Sequence, residues 1–303
     1  MRNLSVLLLL TACGSGAPPP STAADSPPTE EGHEVVLERR ARAGDRFVLT
    51  TEARDRTRSV ARMPGEPVEE SVEDATHRLR ADVVVLDVDA QGRVARIELT
   101  VKHATRLEGG EEEAVVPAGA VLQVSRALRP DEEPGVTWVG GTLTEEQAAW
   151  ITDVVDSREA DVGADEMYGT VQPRAVGESW PIDAARAARN LQAMPTVRVS
   201  EDRLRGQSTF AALTEIEGVP CMEIVTELEL GGLSVLGLPP RVQLREAVAT
   251  GRERRWLPLA IDRPTLREES AFEMRFTAAV PTPEGQGTLE VTAHNTSRSD
   301  YRF

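Results

Sequence analysis

Residues 93–103 alternate without a break. Ala95, Ile97, Leu99 and Val101 fall on one side; Arg96, Glu98, Thr100 and Lys102 fall on the other. Successive side chains of a strand face opposite sides of a sheet, so this two-residue period calls for a strand with one covered face and one wet face. The run before it, residues 79–89, alternates in the same way but turns apolar on both faces at Val83–Leu86. Asp89-Ala90-Gln91-Gly92 between the two runs has turn chemistry, with Gly92 free to take a positive φ. The two runs are therefore expected to form a hairpin.

Two more hairpins repeat the pattern. In one, residues 210–217 lead through Gly218-Val219-Pro220 into 221–230, where Met222, Ile224, Leu228 and Leu230 alternate with Glu223, Val225, Glu227 and Glu229. In the other, Phe272, Met274, Phe276 and Ala278 share a face. Glu284-Gly285-Gln286-Gly287 turns the chain, and Leu289, Val291 and Ala293 return. Further strands are expected at 35–42, 46–58, 115–125, 242–250 and 253–259. Ile97 and Ile224 should be buried, with Glu98 and Glu223 exposed.

Two short helices interrupt the strands. Thr144-Glu145-Glu146-Gln147 has the form of a capping box, preceded by Leu143 as a staple and followed by an apolar stripe of Trp150, Ile151, Val154 and Val155. Asp183 can cap a second helix over 184–194, which should stop before Pro195. A mainly β chain is expected: a curved antiparallel sheet of the open half-barrel type, with two short α-helices packed on one face. Gly44-Asp45-Arg46-Phe47 and Gly177-Glu178-Ser179-Trp180 share the pattern Gly, acid, any, aromatic. This raises two similar halves, 34–140 and 141–303, within one β-rich domain, 34–303. The alternative is that antiparallel hairpins look alike in a sequence rich in Val, Glu and Arg.

The start of the chain carries location rather than fold. Arg2 precedes an apolar run over residues 4–10, too short to span a bilayer, and small residues follow. Residues 1–12 therefore read as a signal peptide. Leu10-Thr11-Ala12-Cys13 resembles the lipobox of bacterial lipoproteins. The resemblance implies cleavage before Cys13 and lipidation of its thiol by a diacylglyceryl group bearing fatty acids such as palmitate. Residues 13–33, with Pro18-Pro19-Pro20 and Pro27-Pro28, cannot bury apolar area and read as a lipidated, disordered tether. Gly14 follows the cysteine in place of an Asp retention signal, which favours the outer membrane, facing the periplasm. Strands over a few helices behind a lipobox also look like the open half-barrel of lipoprotein carriers. That likeness implies architecture and carries over no functional residue.

A formal net charge of −16 disfavours nucleic acid, which needs a positive face. With Cys13 lipidated, Cys221 has no intramolecular partner, so no internal disulfide is expected. His33, His77, His103 and His294 are scattered without metal-ligand spacing, and no metal or other cofactor is expected. Gly232-Leu233-Ser234-Val235-Leu236 lacks the last glycine of a hydrolase elbow. Glu111-Glu112-Glu113 and Asp131-Glu132-Glu133 lack the spacing of a calcium loop. Cys221 beside a proline reads as a buried, inert thiol.

One loop stands out. Residues 231–240 combine Gly231, Gly232 and Gly237 with Leu233, Val235, Leu236 and Leu238, and end on Pro239-Pro240. These apolar side chains need cover, either as a plug at one end of the sheet or as a lip for a ligand or partner. The expected function is that of a membrane-anchored, non-enzymatic envelope lipoprotein that binds a partner protein or acts as a scaffold. The alternative is a carrier of a lipid or other apolar ligand in a half-barrel cavity. An envelope enzyme without a recognisable motif is a third.

Overall fold

The computed structural model describes residues 32–126, 135–155, 162–192, 197–235, 238–239 and 241–303. The signal, lipobox and tether before residue 32 lie outside them. The first part of the chain forms β1 (Arg46–Arg62), β2 (Glu69–Val88), β3 (Val94–Glu108), β4 (Glu111–Ala114), β5 (Val121–Ser125) and β6 (Gly135–Trp138). Then come α1 (Glu145–Val154), α2 (Ala164–Tyr168), β7 (Ser179–Pro181), α3 (Ala184–Gln192) and β8 (Val197–Arg198). The rest is β9 (Leu204–Ile216), β10 (Val219–Gly231), β11 (Ser234–Val235), β12 (Gln243–Pro258), β13 (Arg267–Thr282) and β14 (Gly285–Arg302).

A 12-stranded sheet runs in the order β6-β5-β3-β2-β1-β14-β13-β12-β10-β9-β7, with β4 beside β3. Its pairs are antiparallel, and β6 and β7 are its two ends, so the sheet is an open half-barrel. The first and last long strands, β1 and β14, pair from Val48 with Arg302 to Arg62 with Thr288 and join the two parts of the chain into one sheet.

Four expected strand positions need correction, the first being 115–125, of which only Val121–Ser125 (β5) form a strand. Residues 35–42 form no strand. This segment instead crosses the second part of the chain as a strap, with Val35 and Leu37 buried in its core and Asp165 accepting the amide hydrogens of Leu37 and Glu38. Glu38 in turn accepts the Ala164 amide at the start of α2. The strands at 242–250 and 253–259 are one strand, β12, because Gly251 sits against Leu228 where a Cβ would come within 2.8 Å, and pairing continues through it. The last hairpin turns earlier than expected, since Thr282 already pairs with Gly285.

Both expected helices form, and each packs on the same face of the sheet. Thr144 and Gln147 make the reciprocal capping box of α1 at 3.1 and 2.9 Å. Trp150, Ile151 and Val154 bury against Leu79, Val83, Leu99 and Leu122. Asp183 accepts the Arg186 amide at the start of α3, whose Ala187, Ala188 and Leu191 bury against Phe210, Ile224 and Phe272. The stop before Pro195 lies outside the described residues.

The two Gly–acid–any–aromatic stretches make the same hydrogen bonds. Gly44 (φ 94°) donates to Val85 O and Gly177 (φ 88°) to Phe210 O; the return bonds run from Val85 to Asp45 O and from Phe210 to Glu178 O. Each acid also accepts the amide three residues before it, from Arg42 and from Ala175. Each glycine takes a backbone angle that L side chains avoid. The turn starts β1 beside β2 in one case and β7 beside β9 in the other.

Candidate functional site

The residues singled out in the sequence do not converge. Cys13 and Leu236 lie outside the described residues. Leu233 is 3% exposed in the core beneath α3, and Val235 and Leu238 pack half-buried against that core. Ser234 and Val235 pair with Arg198 and Val197 as β11 and β8, and the Leu233 amide donates to Ala247 O. In the described residues, this loop covers one end of the second core.

Sequence reading missed the feature that divides the helix-bearing face. Follow one row across the sheet: Leu79, Thr51, Ser299, Glu268, Arg255, Ile224. Its ends are apolar and its middle is polar. The next row, His77, Ala53, Ser297, Ser270, Glu253, Thr226, Ser208, is small or polar throughout. The helix-covered cores of the two parts thus lie on either side of a polar seam. Near its middle, Ala53, Ser270 and Ser297 are half-exposed. No single strand reveals this, since Ser297, Ser270 and Glu253 meet only through register.

The seam is hydrogen-bonded along its length. Ser270 and Ser297 hydroxyls are 2.6 Å apart, Thr51 and Ser299 3.0 Å, and Ser208 and Thr226 3.0 Å. Arg255 Nη2 lies 2.5 Å from Glu253, and its Nε lies 3.6 Å from Glu268, which also accepts from the Tyr301 hydroxyl at 3.1 Å. Burial opposes the Arg255 charge, but Glu253 and Glu268 outweigh it and raise its pKa. Tyr168 is pushed up to about 12, first by burial and then by the Glu253 charge, against Arg255. At the other end Trp150 Nε1 donates to His77 Nδ1 at 2.7 Å, and His77 Nε2 lies 3.1 Å from Asp55. An indole nitrogen only donates, so His77 carries its proton on Nε2 and donates it to Asp55. Both ring nitrogens are engaged.

Cys221 is fully buried, and burial raises its pKa well above that of a reactive thiol. Among the described residues, no group of His, Cys, Asp and Glu side chains is placed to hold a metal ion. No described helix is long and apolar enough to cross a membrane. On the helix-free face, a groove of about 780 Å³ crosses β1, β14, β13 and β12, lined by Arg54, Arg252, Arg254 and Arg298 with Glu52, Glu269 and Asp300.

No protein-family model matches the chain, and no curated protein matches it. Among solved structures it is similar to a DUF1329 family protein from Desulfovibrio piger, at 9% identity and TM-score 0.13 over 80% of this chain and 83% of that one. It is similar to Ail, the attachment invasion locus protein of Yersinia pestis, at 6% identity and TM-score 0.13 over 85% and 99%. A LolA superfamily protein from Nitrosomonas europaea aligns at 11% identity and TM-score 0.09 over 84% of each chain. Superpositions this distant do not define a shared fold; the architecture stands on the strand pairing.

Proposed function

We propose that this chain is an exported binding protein, held to the bacterial envelope by lipid on Cys13, that seats an apolar or amphipathic ligand on its open half-barrel and performs no catalysis. The observation that carries this reading is the seam. Both cores are filled, with Leu99, Leu122, Ile151, Phe210 and Leu257 fully buried, so a ligand has no room inside either. Between them lies a strip of small, half-exposed side chains on an unclosed sheet. Ala53, Ser270 and Ser297 are short side chains on that strip.

Native mass spectrometry of the body, residues 34–303, purified from its own envelope is expected to retain a lipid-sized ligand. Ser297→Trp, which fills the strip, should release it while leaving the fold intact. Loss of the reading follows if wild type retains nothing and a fluorescent fatty acid binds wild type and Ser297→Trp alike. For the anchor, Cys13→Ala should leave the protein soluble or uncut; a processed variant that still fractionates with membranes removes the lipid from the reading.

A second reading, docking of an envelope protein, is favoured by the free edges. Val139 beyond β6, Val171 before β7 and Leu213 on β9 are large apolar side chains left exposed there. Retention of a protein rather than a lipid in the same measurement selects it.

A further inference from the structure

β9 is an edge strand for half its length. β7 covers it only at Gln207, Ser208 and Thr209, and the Gly177 turn covers Phe210. Beyond that, residues 211–216 lie beside β10 on one side and, among the described residues, beside no strand on the other. The ladder shows which backbone groups are left over. Pro220 O accepts the Leu259 amide on the β12 side, so the flanking Val219 and Cys221 turn their groups toward β9, where they lie opposite Ile216 and Thr214. Residues opposite each other in such a pair exchange hydrogen bonds, and the next residue along points its groups away. Leu213 and Glu215 therefore aim N–H and C=O outward, and no described backbone group bonds to them there. Their side chains are open as well: Leu213 is 49% exposed, and Ala211 and Glu215 are exposed. Past a bulge at Ala211, the segment has no lysine or proline to blunt the edge, and Glu215 is its one charge.

We propose that this edge pairs with the same edge of a second copy of the chain, antiparallel about a two-fold axis at Thr214, so that two sheets join into one. That register sets Leu213 opposite Glu215 of the second copy and Glu215 opposite its Leu213. The two residues with outward groups then satisfy each other twice, as a two-fold contact between identical surfaces requires. Charge selects this register. An axis at Glu215 sets two carboxylates face to face, which opposes pairing, and an axis at Leu213 asks the bulged Ala211 to bond Glu215. With the axis at Thr214 no charge meets its like: Glu217 falls beside Ala211 and is held by Arg302 of its own chain at 2.9 Å. Thr214 meets its own copy as a closely spaced pair, and threonine pairs are favourable across strands. The paired segment is short and the chain carries a formal −16, so the dimer is weak in dilute solution and builds at high local concentration. It does not rest on ligand binding at the seam.

The test is sedimentation velocity of the full-length, detergent-solubilised protein over a concentration series. Dimer should appear as concentration rises, and more readily as added salt screens the like net charge. Leu213→Lys sets opposite charges across the axis twice and should tighten the dimer about fivefold; Leu213→Glu sets like charges there and should loosen it by about as much. Cys221 lies opposite Thr214 on β10, so cross-linking is read in a Cys221→Ala background. There Thr214→Cys should form a disulfide between copies on oxidation, because the paired Cα atoms come within roughly 4.5 Å, while Cys221→Ala alone sets the baseline. The proposal is overturned if the chain stays monomeric throughout, if both Leu213 variants shift the dimer in the same direction, or if Thr214→Cys cross-links no more than the baseline. A monomeric chain that captures an envelope protein through Leu213 gives the edge to another occupant and overturns it equally. Fatty-acid binding at the seam is read separately and should survive Leu213→Glu, so failure of one site does not count against the other.

Discussion

At the scale of single residues, burial follows the alternation at the apolar positions, and two charges depart from it. Glu98, expected to be exposed, is half-buried and accepts from the Gln123 amide at 3.2 Å. Ile97 is 9% exposed and Ile224 1%. Alanine at either should cost ~2–5 kcal/mol in urea unfolding, because a buried branched side chain leaves a cavity. Glu223, expected to be exposed, is half-buried, and its carboxylate lies 2.7 Å from Arg254. The Arg254 side chain from the neighbouring β12 lies over this carboxylate and covers it. Glu223→Gln should therefore cost about 1 kcal/mol, while Glu98→Gln stays within ~0.5 kcal/mol. Equal costs would show that the pair with Arg254 is not held in solution. His77→Ala strands the Trp150 indole donor in the core and should cost ~1–3 kcal/mol. A neutral result in the same unfolding assay would mean water takes the place of the imidazole.

At the scale of elements, α1 and the 231–240 loop hold their cores by different means. The capping box of α1 satisfies amide hydrogens that the helix leaves free. Among its described residues, the loop packs through Leu233, which is buried. Leu233→Ala should lower stability by ~2–5 kcal/mol, and Leu238→Ala, half-buried, by less. Should the order reverse in thermal melts, Leu238 rather than Leu233 closes this end. Glycine and proline spacing made the loop visible in the sequence, but not its pairing with β8, which depends on a partner strand far back in the chain.

At the scale of the whole molecule, pH reads out the charge lattice. Burial pushes Asp300 up, but Arg298 and Arg267 outweigh it and hold the carboxylate below its ordinary range. Asp89 behaves likewise: burial is outweighed by the amides of Arg93 and Gln91 and by the Arg93 side chain. A lowered folded pKa favours the folded state above the ordinary value of about 3.9, and that stability is lost as pH falls through the folded value. Urea midpoints should therefore drop below about pH 4, with a shallower drop in Asp300→Asn. Tyr168 has the opposite sign. Its neutral form is favoured, so its contribution is intact below about pH 10 and is lost toward 12. In a Tyr301→Phe background, phenolate absorbance should rise only near pH 12; a rise near 10 would place Tyr168 in water.

The sequence by itself determined what repeats locally. Period-two alternation specified the hairpins and their buried faces. The capping box specified α1, and Asp183 the start of α3. Each rests on contacts within a few residues, so each was legible before any long-range pairing was known. Tertiary structure alone decided what depends on register between distant strands. Residues 35–42 are expected as a strand, but Val35 and Leu37 bury in the second core and Asp165 takes the amides of Leu37 and Glu38, so the segment becomes a strap over that core. The seam joins His77, Ser297, Ser270 and Glu253 from strands far apart in sequence, and each is unremarked within its own strand. The groove likewise exists only because β14 lies between β1 and β13, bringing Arg54 and Arg252 from distant parts of the chain onto one row. Side-chain pattern encodes which way a residue faces; only the closed ladder of hydrogen bonds encodes which residue it faces with.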